Sequence, residues 1–191
     1  MIPVTTHSTF AIDVPNRLLA DARNGSMPAF ERIYRLFERP VYTLALRLLG
    51  DRDEAQEILH DTMLKLFQNI DSYRGDSPFW GWLRQIAANE SLMRLRKRAR
   101  LAYVEDVPEP VEDEPSTLLP PAAADASRLV EAMQRLPDAT RSVLWLYHAE
   151  GYTHEEIAGL MQRSVSFSKS QVARGTRRLR QILEVNEHAA A

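Results

Sequence analysis

The chain contains no cysteine. That excludes a disulfide framework and the thiolate zinc sites, and it suits a reducing cytosol. Glycine is scarce, at 7 of 191 residues, and neither a glycine-rich phosphate loop nor a serine elbow occurs. No apolar run approaches the roughly 20 residues of a membrane span. Residues 1–14 carry no Lys or Arg ahead of an apolar stretch, so no secretory leader is expected. His7, His60, His148, His154 and His188 show no metal-ligand spacing. These absences point away from an enzyme, a metal or cofactor protein, and membrane insertion. A cytoplasmic protein without a cofactor is expected. What is present is ordinary in bulk: 45% hydrophobic and 26% charged residues, with a formal net charge of −2. That near-neutral sum conceals separate basic and acidic blocks, and such asymmetry suggests a polyanionic partner more than the total does.

The periodicity is helical throughout, with no strand pattern and no solenoid repeat. Residues 1–13 read as a flexible lead-in. A short helix spans Asn16 to Asn24, with Leu18, Leu19 and Ala22 inward. Ser26 caps a longer one whose stripe is Phe30, Ile33, Tyr34, Phe37, Val41, Leu44, Ala45 and Leu48, interrupted at Pro40 and closed by Gly50. Asp51 to Asn69 follows, with Ile58, Leu59, Met63, Leu66 and Phe67 on one side. Asp53, Glu54, Glu57 and Asp61 gather near its start, where carboxylates favour the helix dipole. This cluster suits a partner-docking surface and is equally compatible with a solvated first turn. Ser77 and Pro78 then start a helix that runs to about Arg98. Residues 103–126 hold Pro108, Pro110, Pro115, Pro120 and Pro121 among seven carboxylates, the composition of an extended linker. The chain thus divides into a first helical domain at 14–102, the linker, a second helical domain at 127–185, and a short flexible tail at 186–191. The fold class is all-α.

Two stretches carry chemistry. The helix after Pro78 begins with Trp80 and Trp82 and ends with Arg94, Arg96, Lys97, Arg98 and Arg100, pairing aromatic planes with cations as single-stranded nucleic acid requires. Helical spacing assigns Trp82, Leu83, Ile86 and Met93 to core packing. Trp80, beside the turn, is expected to be exposed, and Asn89 offers a donor and an acceptor to a base edge. In the second domain, Thr153 and Glu156 form a capping box. A tight turn at Gln162 to Ser164 leads into a helix bearing Lys169, Arg174, Arg177, Arg178 and Arg180. Short helix, turn, basic helix is the helix-turn-helix layout. Ser164, Ser166, Ser168, Lys169 and Ser170 lie at the start of its second helix, where side chains reach phosphates and base edges.

Taken together, the two domains resemble the extracytoplasmic-function sigma factors of the sigma-70 family. The residues that carry the resemblance are Asp53-Glu54-Ala55-Gln56-Glu57, His60-Asp61, the Tyr73-Arg74-Gly75-Asp76-Ser77 turn, Trp82-Leu83 and Ile86-Ala87-Ala88-Asn89. In the second domain they are Leu136-Pro137, Tyr152 to Ala158, and Lys169-Ser170 before Arg174. The resemblance implies a protein that performs no bond chemistry and directs core RNA polymerase to promoter DNA. Asp53, Glu54, Glu57 and Asp61 would dock the polymerase. Tyr73, Arg74, Ser77, Trp80, Asn89, Arg94, Arg96 and Lys97 would bind and melt the minus-ten element, with Asn89 at a captured base. Ser164, Ser166, Ser168, Lys169, Ser170, Arg174 and Arg177 would bind the minus-thirty-five element, and an anti-sigma protein is an expected partner. Gln162 stands where the family often has glycine, and Ser166-Phe167-Ser168 where it often has Gly-Thr-Val. A stand-alone helix-turn-helix regulator and a sigma-like interaction protein that no longer reads DNA are the alternative readings.

Overall fold

The computed structural model describes residues 12–102 and 121–189, with side chains over 12–100 and 126–183. The described residues fold into eight α-helices: α1 (Asn16–Arg23), α2 (Met27–Leu49), α3 (Arg52–Asn69), α4 (Phe79–Ala102), α5 (Pro121–Gln134), α6 (Asp138–Leu144), α7 (His154–Met161) and α8 (Val165–Ala189). A 3₁₀ turn at Ile70–Ser72 follows α3, and a π turn at Trp145–Ala149 follows α6. Most of the linker expected at 103–126 lies outside the described residues. Its last six positions are helical, because α5 starts at Pro121 and proline is tolerated at a first helical position.

Local chemistry sets the helix boundaries. Ser26 Oγ accepts the Ala29 amide at the start of α2, and Asp51 Oδ1 accepts the Glu54 amide at the start of α3. Gly50 ends α2 with φ +72, a left-handed conformation that costs glycine little. α2 runs through Pro40 without a break. Phe37, Val41 and Leu44, at 0–1% exposure on either side, hold the segment helical against the lost hydrogen bond. The capping box of α7 is present in both directions, with Glu156 N donating to Thr153 Oγ1 at 3.2 Å and Thr153 N donating to Glu156 Oε2 at 2.7 Å.

The first lobe is a bundle in which α2, α3 and α4 pack on one another and α1 closes one side. Its core holds Ile33, Phe37, Leu44, Leu48, Ile58, Leu66, Leu83 and Leu92, each almost fully buried. Burying one such side chain stabilises the fold by about 1.5–3 kcal/mol. In the second lobe, α8 lies across α5, α6 and α7. Gly175 makes the closest crossing: a Cβ there would stand 2.6 Å from Thr140 Cγ2. The lobes are not separate. Val143, Leu146, Tyr152 and Ile157 of the second lobe join the core of the first.

Several apolar positions differ from the periodic expectation. Met93 and Phe67, expected inward, are exposed by 51% and 47%, and Leu129 and Tyr147 are exposed by 38% and 36%. Phe67 projects beside Met27 and Leu64, also exposed, on a surface where α2 and α3 leave an apolar groove. Tyr147 sits in the π turn, which shifts the rotational phase that the sequence spacing assumed, and its ring stacks on His154 at 4.6 Å.

Candidate nucleic-acid interface

The turn at 73–77 is built on a cluster of rings. Phe37 stacks on Trp80 with centroids 5.9 Å apart, and Phe79 meets Phe37, Tyr73 and Trp82 at 5.1–5.5 Å. Trp80 is therefore buried, at 5% exposure, and not available as an open stacking platform. The reason lies in the start of α4, where Phe79 and Trp80 both turn inward onto α2. Tyr73 is buried as well; its hydroxyl donates to Ser77 O at 2.7 Å and its carbonyl accepts from Arg23. Burial raises its phenol above the ordinary range, the Arg23 charge working the other way. Tyr73 thus fixes the turn from beneath, while Arg74, Gly75 and Asp76 stand exposed at its tip and Ser77 is half-buried.

Asn89 is exposed on α4. Gln85 and Met93, four residues before and after, are exposed too, so the three form one row along the helix. Gln85 is a second exposed amide on this row, which the sequence reading missed. Spacing of four from Asn89 was the available signal.

Further along α4 the cations are engaged. Arg94 Nη2 pairs with Glu57 Oε2 at 2.6 Å, and Arg98 Nη1 pairs with Glu54 Oε2 at 3.1 Å. Arg96 Nη1 donates to Leu160 O, across the seam between lobes, at 2.8 Å. Arg94 and Arg96 are consequently tied within the protein instead of lying open as a phosphate grip; Lys97 and Arg100 remain exposed. The same contacts bind two of the four acids singled out on α3. Asp53, Glu57 and Asp61 are exposed in one row, and Glu54 is half-buried against Arg98.

In the helix-turn-helix, α7 and α8 meet through Gln162, which adopts the left-handed conformation at φ 54. It is the one non-glycine residue with positive φ among the described residues, at a cost of roughly 1 kcal/mol, and the turn forms without glycine. Ser164 is exposed, and its Oγ accepts the Phe167 amide at 3.1 Å as a cap for α8. Ser166, Lys169, Arg174 and Arg177 are exposed along α8 and form an open, basic face. Ser170 Oγ donates to Phe167 O at 2.9 Å and receives Arg174 Nη2 at 3.2 Å. Ser168 does not belong to that face. It is fully buried, with its hydroxyl 3.0 Å from His154 Nδ1, because position 168 turns back towards α7.

The site with the strongest electrostatics was not expected at all. Arg84, 1% exposed, donates to Glu150 O, lies 3.7 Å from Glu150 Oε2, and places its guanidinium 4.5 Å over the Tyr152 ring. Arg47 approaches Glu150 from the other side at 3.5 Å. A signal existed: positions 80, 83, 84, 87, 88, 91, 92 and 95 form a buried stripe of α4 in which Arg84 is the one cation, and Glu90, also buried on α4, pairs with Lys65. Burial pushes the Glu150 carboxyl above its ordinary 4.5, with Arg84 and then Arg47 opposing the shift. Burial also raises the Tyr152 phenol, to about 12. A raised acid pKa gives stability that is complete below 4.5 and is lost as pH rises through the folded value. We therefore expect wild type to lose thermal stability relative to Glu150→Gln as pH rises from 4.5 towards neutrality. Melting curves of both proteins across that range check the sign.

Among the described residues no group of three His, Cys, Asp or Glu could hold a metal ion, and no helix is long and apolar enough to cross a membrane. Residues 33–101 match the family model for sigma-70 region 2, and residues 126–179 match that for sigma-70 region 4. The chain is 30% identical over 168 residues to the ECF RNA polymerase sigma factor SigM of Mycobacterium tuberculosis, covering 87% of this chain and 83% of that protein. It is 27% identical to SigW of Bacillus subtilis, with 86% and 94% covered. It is 28% identical to SigE of Mycolicibacterium smegmatis over 86% of this chain, and spans 65% of that relative's length. Among solved structures, the sigma factor RpoE in complex with the anti-sigma factor NepR from Bartonella quintana matches with a TM-score of 0.59 and 26% identity, covering 82% of this chain and 97% of that one. CnrH, solved with the cytosolic domain of CnrY, shares the fold at a TM-score of 0.52 and 20% identity, covering 88% of this chain and 96% of that one.

Proposed function

The chain belongs to the extracytoplasmic-function sigma factors of the sigma-70 family, and from that premise we propose how its residues bind core RNA polymerase and promoter DNA. The acidic row Asp53, Glu57 and Asp61 on α3, with Glu54 beside it, is the polymerase-docking surface. The exposed tip Arg74 to Asp76 and the Gln85–Asn89–Met93 row face the melted minus-ten strand. Ser166, Lys169, Arg174 and Arg177 on α8 face the minus-thirty-five duplex. The observation that carries this reading is the position of Asn89: a polar side chain exposed on a helix whose other face is locked by the ring cluster. A rigid support of this kind lets one amide select a base.

Promoter opening requires unstacking and unpairing, which capture of extruded bases offsets by about a few kcal/mol. Loss of a paired base contact costs about 1–3 kcal/mol, a factor of roughly 5 to 150. Asn89→Ala is accordingly expected to reduce promoter opening by a factor in that range and to leave core-polymerase affinity unchanged. Permanganate reactivity of the opened thymines, set beside a core-binding titration, measures the two separately. Equal losses in both would show that Asn89 supports the fold and does not read the base. An anti-sigma protein is a further partner in this reading, supported by the complex in which RpoE was solved with the anti-sigma factor NepR.

A further inference from the structure

We propose that His154 is a positioning residue for reading the minus-thirty-five element: through Ser168 it sets the rotation of α8, and so which side chains meet the bases. The inference rests on the DNA-facing role proposed for α8. The inward positions of that helix are Ser168, Val172, Gly175, Leu179 and Ile182, at spacings of four and three. Ser168 is 0% exposed and alone among them carries a polar side chain. A hydroxyl in such a place costs stability unless it finds a hydrogen-bond partner. The partner comes from the other helix of the pair: Nδ1 of His154, the first residue of α7, lies 3.0 Å from Ser168 Oγ. The face of the His154 ring lies against Tyr147, with centroids 4.6 Å and planes 14° apart. Tyr147 belongs to the π turn after α6, so that turn, α7 and α8 converge on one hydrogen bond.

Position 168 governs more than its own packing. Ser166 and Lys169 beside it are exposed, and Ser170 is half-buried. On a helix about 10–12 Å across with its side chains, a rotation of about 10° displaces a side-chain tip by about 1 Å. Groups that read a ligand have to be held to about 0.5 Å and 10–20°. An apolar contact at 168 would resist separation of the two helices but has no preferred direction. A hydrogen bond has one, and it fixes the angle at which α8 presents its outer face. Loss of that bond does not release the helix. Phe167 and Val172 still pack against the core, and Gly175 keeps its close crossing of Thr140. The rotation is freed while α8 stays docked.

A promoter library with the minus-thirty-five element randomised and all else constant measures the effect, using the full chain, core polymerase and sequenced run-off transcripts. For wild type, the preferred element should outperform its single-base variants. His154→Ala and Ser168→Ala are each expected to reduce that discrimination about fivefold, and the double variant no further, as two ends of one hydrogen bond require. His154→Asn should restore most of it, because the amide offers a donor and an acceptor near the place of Nδ1. Core-polymerase affinity should be the same in all of these variants as in wild type. Unchanged discrimination in the folded variants overturns the proposal and leaves the role of α8 standing. An equal loss on every sequence, with a lower melting midpoint, overturns it too, since the pair would then support the fold alone. If wild type shows no preference at any randomised position, the DNA-facing role of α8 itself fails, and the proposal with it.

Discussion

Phe37→Ala is expected to lower the stability of the protein by about 3–5 kcal/mol, the usual cost of removing a fully buried aromatic ring. Phe37 is 0% exposed, and its ring touches Phe79 at 5.3 Å and Trp80 at 5.9 Å. The effect has a functional side, because those two residues begin α4 and carry the 73–77 turn. A cavity at Phe37 loosens the floor on which Asn89 and the turn are held. Thermal unfolding followed by circular dichroism should show a midpoint lower by about 6–20 °C for a chain of this size. Promoter opening should fall further than core binding, since α3 does not rest on that ring pair. An unchanged melting midpoint would mean that the rings are not the support of the turn.

The second large effect is electrostatic. Asp53→Lys combined with Asp61→Lys reverses two exposed acids on one face of α3 and leaves Glu54 and Glu57, which pair with Arg98 and Arg94, in place. If this face meets a complementary basic surface, reversal places like charges opposite one another, at a cost of several kcal/mol. Core-polymerase affinity is expected to fall about a hundredfold, with a weaker dependence on salt than wild type shows. The melting midpoint should hardly move, because exposed charges contribute little to folding. Retained affinity in a folded double variant would remove α3 as the docking element.

Much of the fold was legible in the chain because helix boundaries here are local chemistry. Ser26, Asp51, Gly50 and the Thr153–Glu156 box act within a few residues of where they stand, and each ends or starts a helix where the sequence places it. The apolar stripe of α2 was equally readable, since spacing of three and four survives even Pro40. What could not be read depends on residues distant in sequence. Trp80 is buried because Phe37 lies under it, and Ser168 is buried because His154 faces it. The π turn at Trp145–Ala149 has no distinguishing sequence pattern, and it moved Tyr147 to the surface. The engagement of Arg94, Arg96 and Arg98 was hidden for the same reason: a run of cations looks alike whether its partners are phosphates or Glu57, Leu160 and Asp138.

The ion pairs of α4 also alter how the acidic and basic residues should be understood. Glu57 and Glu54 of the acidic cluster on α3 pair with Arg94 and Arg98 of the basic end of α4. The Arg141 guanidinium is pushed below its ordinary value by burial, with Asp138 opposing the shift.

The most direct test of the central claim is transcription by core RNA polymerase on genomic DNA, with and without the purified protein, read by sequencing RNA 5′ ends. The expected result is a small set of start sites that appear only with the protein and share two upstream elements at a fixed spacing. Start sites identical in the two reactions, with the folded protein bound to DNA tightly in the absence of polymerase, would contradict it.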